Sequence, residues 1–410
     1  MADFHQNGNV TTLHNLRSTT PEALTHALTT FSQSRKITLI LPSLFSELEG
    51  DALPEILNEL AQVPYLHRIV IGLDRADGDQ YAHALKFFGR LPQDHVVIWN
   101  DSPRMRDIHA RLEALSLNAG EPGKGRNVWF CLGYVMACKD SAVVALHDCD
   151  ILTYSREMLA RLVYPVANPN FPYQLAKGYY PRIADGKLGG RVSRLLVSPI
   201  LIALKKVIGD RDYLDYLRSF RYPLSGEFAM RTAPLPDLRI PSDWGLEIGV
   251  LSEAWRNLAP QSVCQVEIAD TYDHKHQPVS EEDTAKGLSR MSIDICKSIF
   301  RKLAADGTVF SEEIFRTLKA TYYRVALDML EGYYNDAAMN GLNLDRHREE
   351  KIIELFATNI MQAGQVFLDS PAEMPFIPTW SRVHAADPTL MDDMLLAVAA
   401  DTAEFSQPPD

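Results

Sequence analysis

Four short apolar, β-rich runs recur at residues 36–41, 68–73, 95–99 and 141–147, each parted from the next by a stretch with helical spacing. Continuous runs rather than strict alternation are the pattern of strands buried on both faces. Of the intervening stretches, 51–62 spaces Leu53, Ile56, Leu57 and Leu60 along one helical face, and 80–88 and 127–139 also read as helices. Upstream, 21–32 reads as a helix with Thr19 or Thr20 as cap ahead of Pro21. This alternation predicts an α/β fold with a mostly parallel sheet flanked by helices on both faces. Ligands gather at the carboxyl ends of the strands in such sheets. Those ends carry residues 42–49, Asp74, and Asp148 to Asp150, three polar clusters that point to one crevice.

The pattern changes near residue 281. Stretches 289–305, 311–333 and 346–366 are long and amphipathic, and predict an all-helical C-terminal appendage. The expected layout is an N-terminal extension and first helix over 1–35, of which 1–20 reads as poorly ordered. A central domain over 36–280 follows, in halves of about 36–150 and 151–280, and then a helical region over 281–410. The apolar stripes of that region suit either a homodimer interface or packing onto the chain's own central domain.

Forty-one basic against 53 acidic residues give a net charge of −12, which argues against a nucleic-acid binder but leaves room for a local basic pocket. The five cysteines form no Cys-x-x-Cys pair, so zinc spacing and a disulfide framework are both poorly supported and a reduced, cytoplasmic setting fits best. The first 20 residues are too polar for a secretory signal. The most apolar run, 195–208, is interrupted by Pro199 and Lys205-Lys206, and reads as a buried helix rather than a stable membrane insertion.

Six segments could carry chemistry. In Asp148-Cys149-Asp150, positions i and i+2 of an extended chain face one side, so both carboxylates can look into one site and hold a hard divalent cation. Asp-x-Asp alone is weak, since most such triplets are solvated loop residues; its place after a buried strand raises it. Asp273-His274-Lys275-His276 could complete a metal site through an imidazole or be an exposed turn. Glu247, in an apolar setting, is either a functional carboxylate or a helix N-terminal charge. Gly123-Lys124-Gly125 at a helix start suits an anion, without P-loop spacing. Gly189-Gly190-Arg191-Val192-Ser193-Arg194 could grip a phosphate or carboxylate bidentately, or be a solvated helix start. Glu227, after Pro223-Leu224-Ser225-Gly226, could contact a sugar hydroxyl or close a structural turn.

Taken in order, these pieces resemble the glucosyl-3-phosphoglycerate synthases, retaining glycosyltransferases of the GT-A (Rossmann-like) fold, from about residue 36 to 278. The resemblance implies transfer of glucose from a nucleoside-diphosphate glucose to the 2-hydroxyl of 3-phosphoglycerate, with Mg²⁺ or Mn²⁺. It further implies Asp150 and His274 as metal ligands, with Asp148 supporting the metal or the donor. Pro42, Leu44, Glu47 and Asp74 would border the nucleoside, and Lys124 would contact the donor. Gly190, Arg191, Val192 and Ser193 would hold the acceptor phosphate, and Glu247, with Glu227, the sugar or acceptor near the reacting carbon. Phe45-Ser46-Glu47 departs from the family's Asn-Glu-Glu, and Leu73-Asp74-Arg75 from its run of acidic and small residues. Three alternatives compete: a mannosyl donor or glycerate acceptor, a nucleotidyltransferase (whose Gly-rich basic loop Leu41-Pro42-Ser43-Leu44 lacks), and a non-catalytic nucleotide-sugar binder.

Overall fold

The computed structural model describes residue 6 and residues 8–273, 281–371 and 377–406, with backbone alone for 281–286. Ten strands form in chain order: β1 (Thr11–Leu13), β2 (Ile37–Leu44), β3 (Leu66–Asp74), β4 (Asp94–Trp99), β5 (Val143–Leu146), β6 (Leu175–Tyr179), β7 (Ile183–Ala184), β8 (Lys187–Leu188), β9 (Phe228–Arg231) and β10 (Val263–Glu267). Eight of them make one sheet in the order β1-β10-β6-β9-β5-β2-β3-β4, and β7-β8 is a separate hairpin. Every neighbouring pair in the large sheet is parallel except the two made by β9, which runs against β5 and β6. The α/β fold with a mostly parallel sheet is therefore as the alternation predicts.

Two local expectations are corrected. The first strand does not stop at Pro42 but continues to Leu44, with Pro42 opposite Gly72 of β3. β5 pairs with β2 only from Ile37 to Ile40, so beyond Ile40 one edge of β2 is unpaired and a residue without an N–H is tolerated there. The N-terminal stretch is not all irregular either: Thr11–Leu13 adds an edge strand parallel to β10, and Val10 is buried beneath it.

Two apolar layers cover the sheet. One packs Leu53, Ile56 and Tyr81 against Leu39, Ile71 and Ala145. The other joins Ile40, Val70 and Val144 to residues of the C-terminal helices, including Phe300, Phe315, Phe356 and Trp380. Helices Glu281–Ala305, Glu312–Met339, Arg346–Asp369, Trp380–Ala386 and Leu390–Phe405 make up that region. Its apolar stripes are thus spent on the chain's own core: helix Glu312–Met339 packs along Ser198–Ile208, and Trp380 stacks on Trp129 at 4.0 Å. The apolar run at 195–208 lies inside this layer. No described helix is long and apolar enough to cross a membrane.

Candidate active site

A cleft of about 440 Å³ opens at the carboxyl ends of β2, β3 and β5. Pro42, Leu44 and Glu47 line it from the end of β2, Asp74 from β3, and Asp148 and Asp150 from the turn after β5. Lys124 and Glu247 enter from the first turns of helices Lys124–Cys138 and Leu246–Asn257. The three polar strand ends therefore do share one crevice.

Its centre is an ionic bridge. Lys124 Nζ lies 2.7 Å from Asp148 Oδ1 and 3.2 Å from Glu247 Oε1. Burial works against the Lys124 ammonium, but the Asp148 and Glu247 carboxylates more than offset it and hold it charged above the ordinary lysine range. Gly226 permits this approach: a Cβ there would stand 2.5 Å from Asp148 Oδ2 and 3.0 Å from Lys124 Nζ.

Other carboxylates are less well compensated. Burial, then Asp150 and Asp148, push Glu47 up to about 7, although it accepts from Leu44 N at 3.4 Å. Burial and then Asp148 push Asp150 up to about 7 as well, against the pull of Lys124. Burial also raises Asp74, which accepts from Asn100 Nδ2 at 2.7 Å. An excess of hard oxygen donors around Asp150 suits a divalent cation such as Mg²⁺ or Mn²⁺. Among the described residues no three side chains converge as a complete ligand set. His274, expected as a ligand, lies outside the described residues; the backbone carbonyl of its chain neighbour Asp273 accepts from Leu152 N at 2.9 Å.

Glu227 sits behind the cleft, fully buried, and it gets there by topology. Because β9 is antiparallel, its amino end lies beside the carboxyl end of β5, with Phe228 opposite Leu146. Glu227 accepts from the Tyr180 hydroxyl and, at 2.8 Å, from the Tyr272 hydroxyl. Burial and the Asp148 carboxylate hold it above the usual carboxylate range. Gly190, Arg191, Val192 and Ser193 do not line the cleft. They follow the β7–β8 hairpin and lead into a π-helical turn, Val192–Val197, with Gly190 at φ +70°.

Sequence reasoning missed several neighbours. Lys177 on β6 is 1% exposed, donates to the Ser225 carbonyl, and is drawn down to about 8 by burial against the pull of Glu247 and Glu227. A lysine within an apolar strand is the signal that could have found it. Tyr180 and Tyr272, stacked at 3.8 Å, carried no motif. Trp244 and Arg290 line the cleft too, the second from a C-terminal helix.

No family model matches the chain. Glucosyl-3-phosphoglycerate synthase of Persephonella marina is 44% identical over 404 residues, covering 98% of this chain and 100% of the relative. The enzyme of that name from Methanococcoides burtonii is 35% identical, covering 99% of each. Among solved structures, glucosyl-3-phosphoglycerate synthase from Mycobacterium tuberculosis in complex with phosphoglyceric acid has a TM-score of 0.51 at 22% identity, over 72% of this chain and 87% of that one. The M. tuberculosis enzyme with Mn²⁺, uridine-diphosphate and phosphoglyceric acid gives 0.53 at 21%, over 74% and 88%. The structural likeness shows the shared fold, and the full-length identity places the chain: it belongs to the glucosyl-3-phosphoglycerate synthase family.

Proposed function

We propose that this chain is a metal-dependent retaining glycosyltransferase that moves glucose from a nucleoside-diphosphate glucose to the 2-hydroxyl of 3-phosphoglycerate. The observation that carries the reading is the Asp148–Lys124–Glu247 bridge across a cleft at the carboxyl ends of the sheet. The M. tuberculosis enzyme has been solved with Mn²⁺, uridine-diphosphate-glucose and phosphoglyceric acid, which supports a donor and acceptor of these classes here.

Asp150, with His274 and support from Asp148, would hold Mg²⁺ or Mn²⁺, which supplies neutralisation of charge on the departing diphosphate. Pro42, Leu44, Glu47 and Asp74 border the nucleoside. Lys124, kept protonated by its two carboxylates, meets the same developing charge without reorganising. The acceptor 2-hydroxyl oxygen bonds to the anomeric carbon on the face that the diphosphate leaves, so configuration is kept. Its proton passes to the departing phosphate oxygen, and no side-chain base is required. Glu247, tied to Lys124, orients that ammonium and the sugar rather than attacking carbon. Arg191, Ser193 and the adjoining Gly190 and Val192 backbone take the acceptor phosphate, while Glu227, locked by two tyrosines, stiffens the wall between the two substrates.

We read residues 36–280 as the catalytic unit, 1–35 as its N-terminal extension and 281–410 as its helical support. The cytoplasm suits the five free cysteines. The apolar stripes of the C-terminal helices pack on the chain's own core, so a homodimer would have to form through another surface, and sedimentation equilibrium tests for one. The test of function is turnover with Mg²⁺ or Mn²⁺, a panel of nucleotide sugars, and 3-phosphoglycerate or glycerate. Nucleoside diphosphate release that needs 3-phosphoglycerate and vanishes in Asp150→Ala supports the reading. Release with glycerate alone removes the acceptor assignment, and donor binding without release removes catalysis.

A further inference from the structure

The acceptor loop is held from a distance. Glu349, at the start of helix Arg346–Asp369, is 3% exposed and lies against the loop that follows the β7–β8 hairpin. Arg194 donates to both its oxygens, from Nη1 to Oε2 at 2.8 Å and from Nη2 to Oε1 at 2.9 Å. The same guanidinium donates through Nε to the Gly189 carbonyl at 2.7 Å and through Nη2 to the Leu188 carbonyl at 3.3 Å. Glu349 thus fixes Arg194, and Arg194 fixes the backbone immediately before Gly190 and Arg191. Arg191 Nε also lies 3.5 Å from Glu349 Oε1 while its side chain is 34% exposed. Two further contacts come from the same region. Tyr333 places its ring 5.1 Å from the Arg194 guanidinium, and Asn343 N donates to the Gly186 carbonyl at 2.7 Å.

We infer that Glu349 is a positioning residue for acceptor binding: through Arg194 it sets the Gly189–Gly190 backbone and leaves Arg191 aimed for the acceptor phosphate. This inference rests on the function proposed above. Two effects of losing Glu349 oppose each other. An uncompensated Arg194 adds positive charge, which favours an anion. A buried guanidinium stripped of its carboxylate also leaves its place, and the loop it tethers relaxes. The second effect dominates because phosphate capture by arginine depends on bidentate geometry, which an extra point charge does not restore.

The experiment is steady-state kinetics on the full chain, with 3-phosphoglycerate and donor varied separately. Wild-type turnover is established first; its absence overturns the functional reading itself. In Glu349→Gln the acceptor KM is expected to rise about tenfold while donor KM and kcat stay within about twofold, the split expected of coupling confined to one site. Glu349→Asp restores most of the acceptor KM. In an Arg191→Ala background, Glu349→Gln adds little further. Should Glu349→Gln fail to fold, Arg194→Lys, which keeps charge but loses the fork, carries the same expected split. An acceptor KM that is unchanged or lower, or a matching rise in both KM values, overturns the proposal.

Discussion

The donor cleft and the acceptor loop solve opposite electrostatic problems. In the cleft, Asp148 and Glu247 share one bridging ammonium, and the nearby Glu47 and Asp150 are driven up to about 7 by burial and repulsion from neighbouring carboxylates. At the loop, Arg194 is matched by Glu349 in a buried bidentate pair, with Arg191 alongside. The first is short of positive charge, as a site awaiting a cation and a diphosphate should be. The second sets two guanidiniums against one carboxylate, so Arg194 is neutralised while Arg191 stays 34% exposed, and its selectivity comes from geometry. The difference teaches that a surplus of carboxylates leaves a cleft in want of a cation, whereas a guanidinium paired with a buried carboxylate keeps a loop in shape.

The sharpest way to break this comparison is Asp150→Ala, which should lower kcat by about 10³-fold through loss of metal-assisted charge stabilisation. Metal titration of the variant checks it: normal cation affinity alongside normal turnover would remove Asp150 from the ligand set. Lys124→Ala should lower kcat by about 10²-fold, as for removal of a preorganised charge from the leaving group. A loss confined to donor KM would instead make Lys124 a ground-state contact. Gly226→Ala comes next, with about a tenfold fall in kcat, because a Cβ 2.5 Å from Asp148 Oδ2 and 3.0 Å from Lys124 Nζ displaces the bridge from its alignment; equal activity at an unchanged melting temperature would show that Asp148 and Lys124 can yield.

A pH experiment sharpens the contrast more gently. Glu47 and Asp150 stand at about 7 in the folded chain, above the ordinary 4.5 and 3.8. The folded state therefore binds their protons more tightly than the unfolded chain does. Their stabilising contribution is complete below about pH 4 and is lost as pH rises through 7. Cation binding runs the other way, since the ligands must be deprotonated. Thermal melts with and without Mn²⁺ should show a large Mn²⁺ shift at pH 8 and a small one at pH 6. Equal shifts would place the cation elsewhere. The smallest effect belongs to Arg324→Ala, an exposed pair with Asp328 on helix Glu312–Met339. Its melting temperature should stay within about 1 °C and its acceptor KM unchanged, as for most exposed ion pairs; a raised acceptor KM would mean that the whole C-terminal region, not Glu349, sets the loop.

Much of the cleft was legible in the sequence. Asp74 ends one buried apolar run and Asp148 to Asp150 follow another, so a local pattern located them, while Pro42 and Glu47 stood in the polar segment near the end of the first run. Lys124 was legible from glycines at a helix start. The tyrosines that hold Glu227 and the buried Lys177 were not, because aromatic residues and a single lysine in a strand have ordinary structural explanations. The N-terminal edge strand was missed because three residues carry too little periodicity to read.

By itself, then, the sequence determined the alternating parallel sheet, the polar rim at its carboxyl edge and the helical nature of the C-terminal region. Each depends on periodicity and burial within a few residues. Tertiary structure alone decided that β9 runs antiparallel and delivers Glu227 to Asp148, that Lys124 meets Glu247 across 123 residues, and that Arg194 meets Glu349 across 155. Those pairings join elements distant in the chain, and no local pattern encodes which buried charge will answer another.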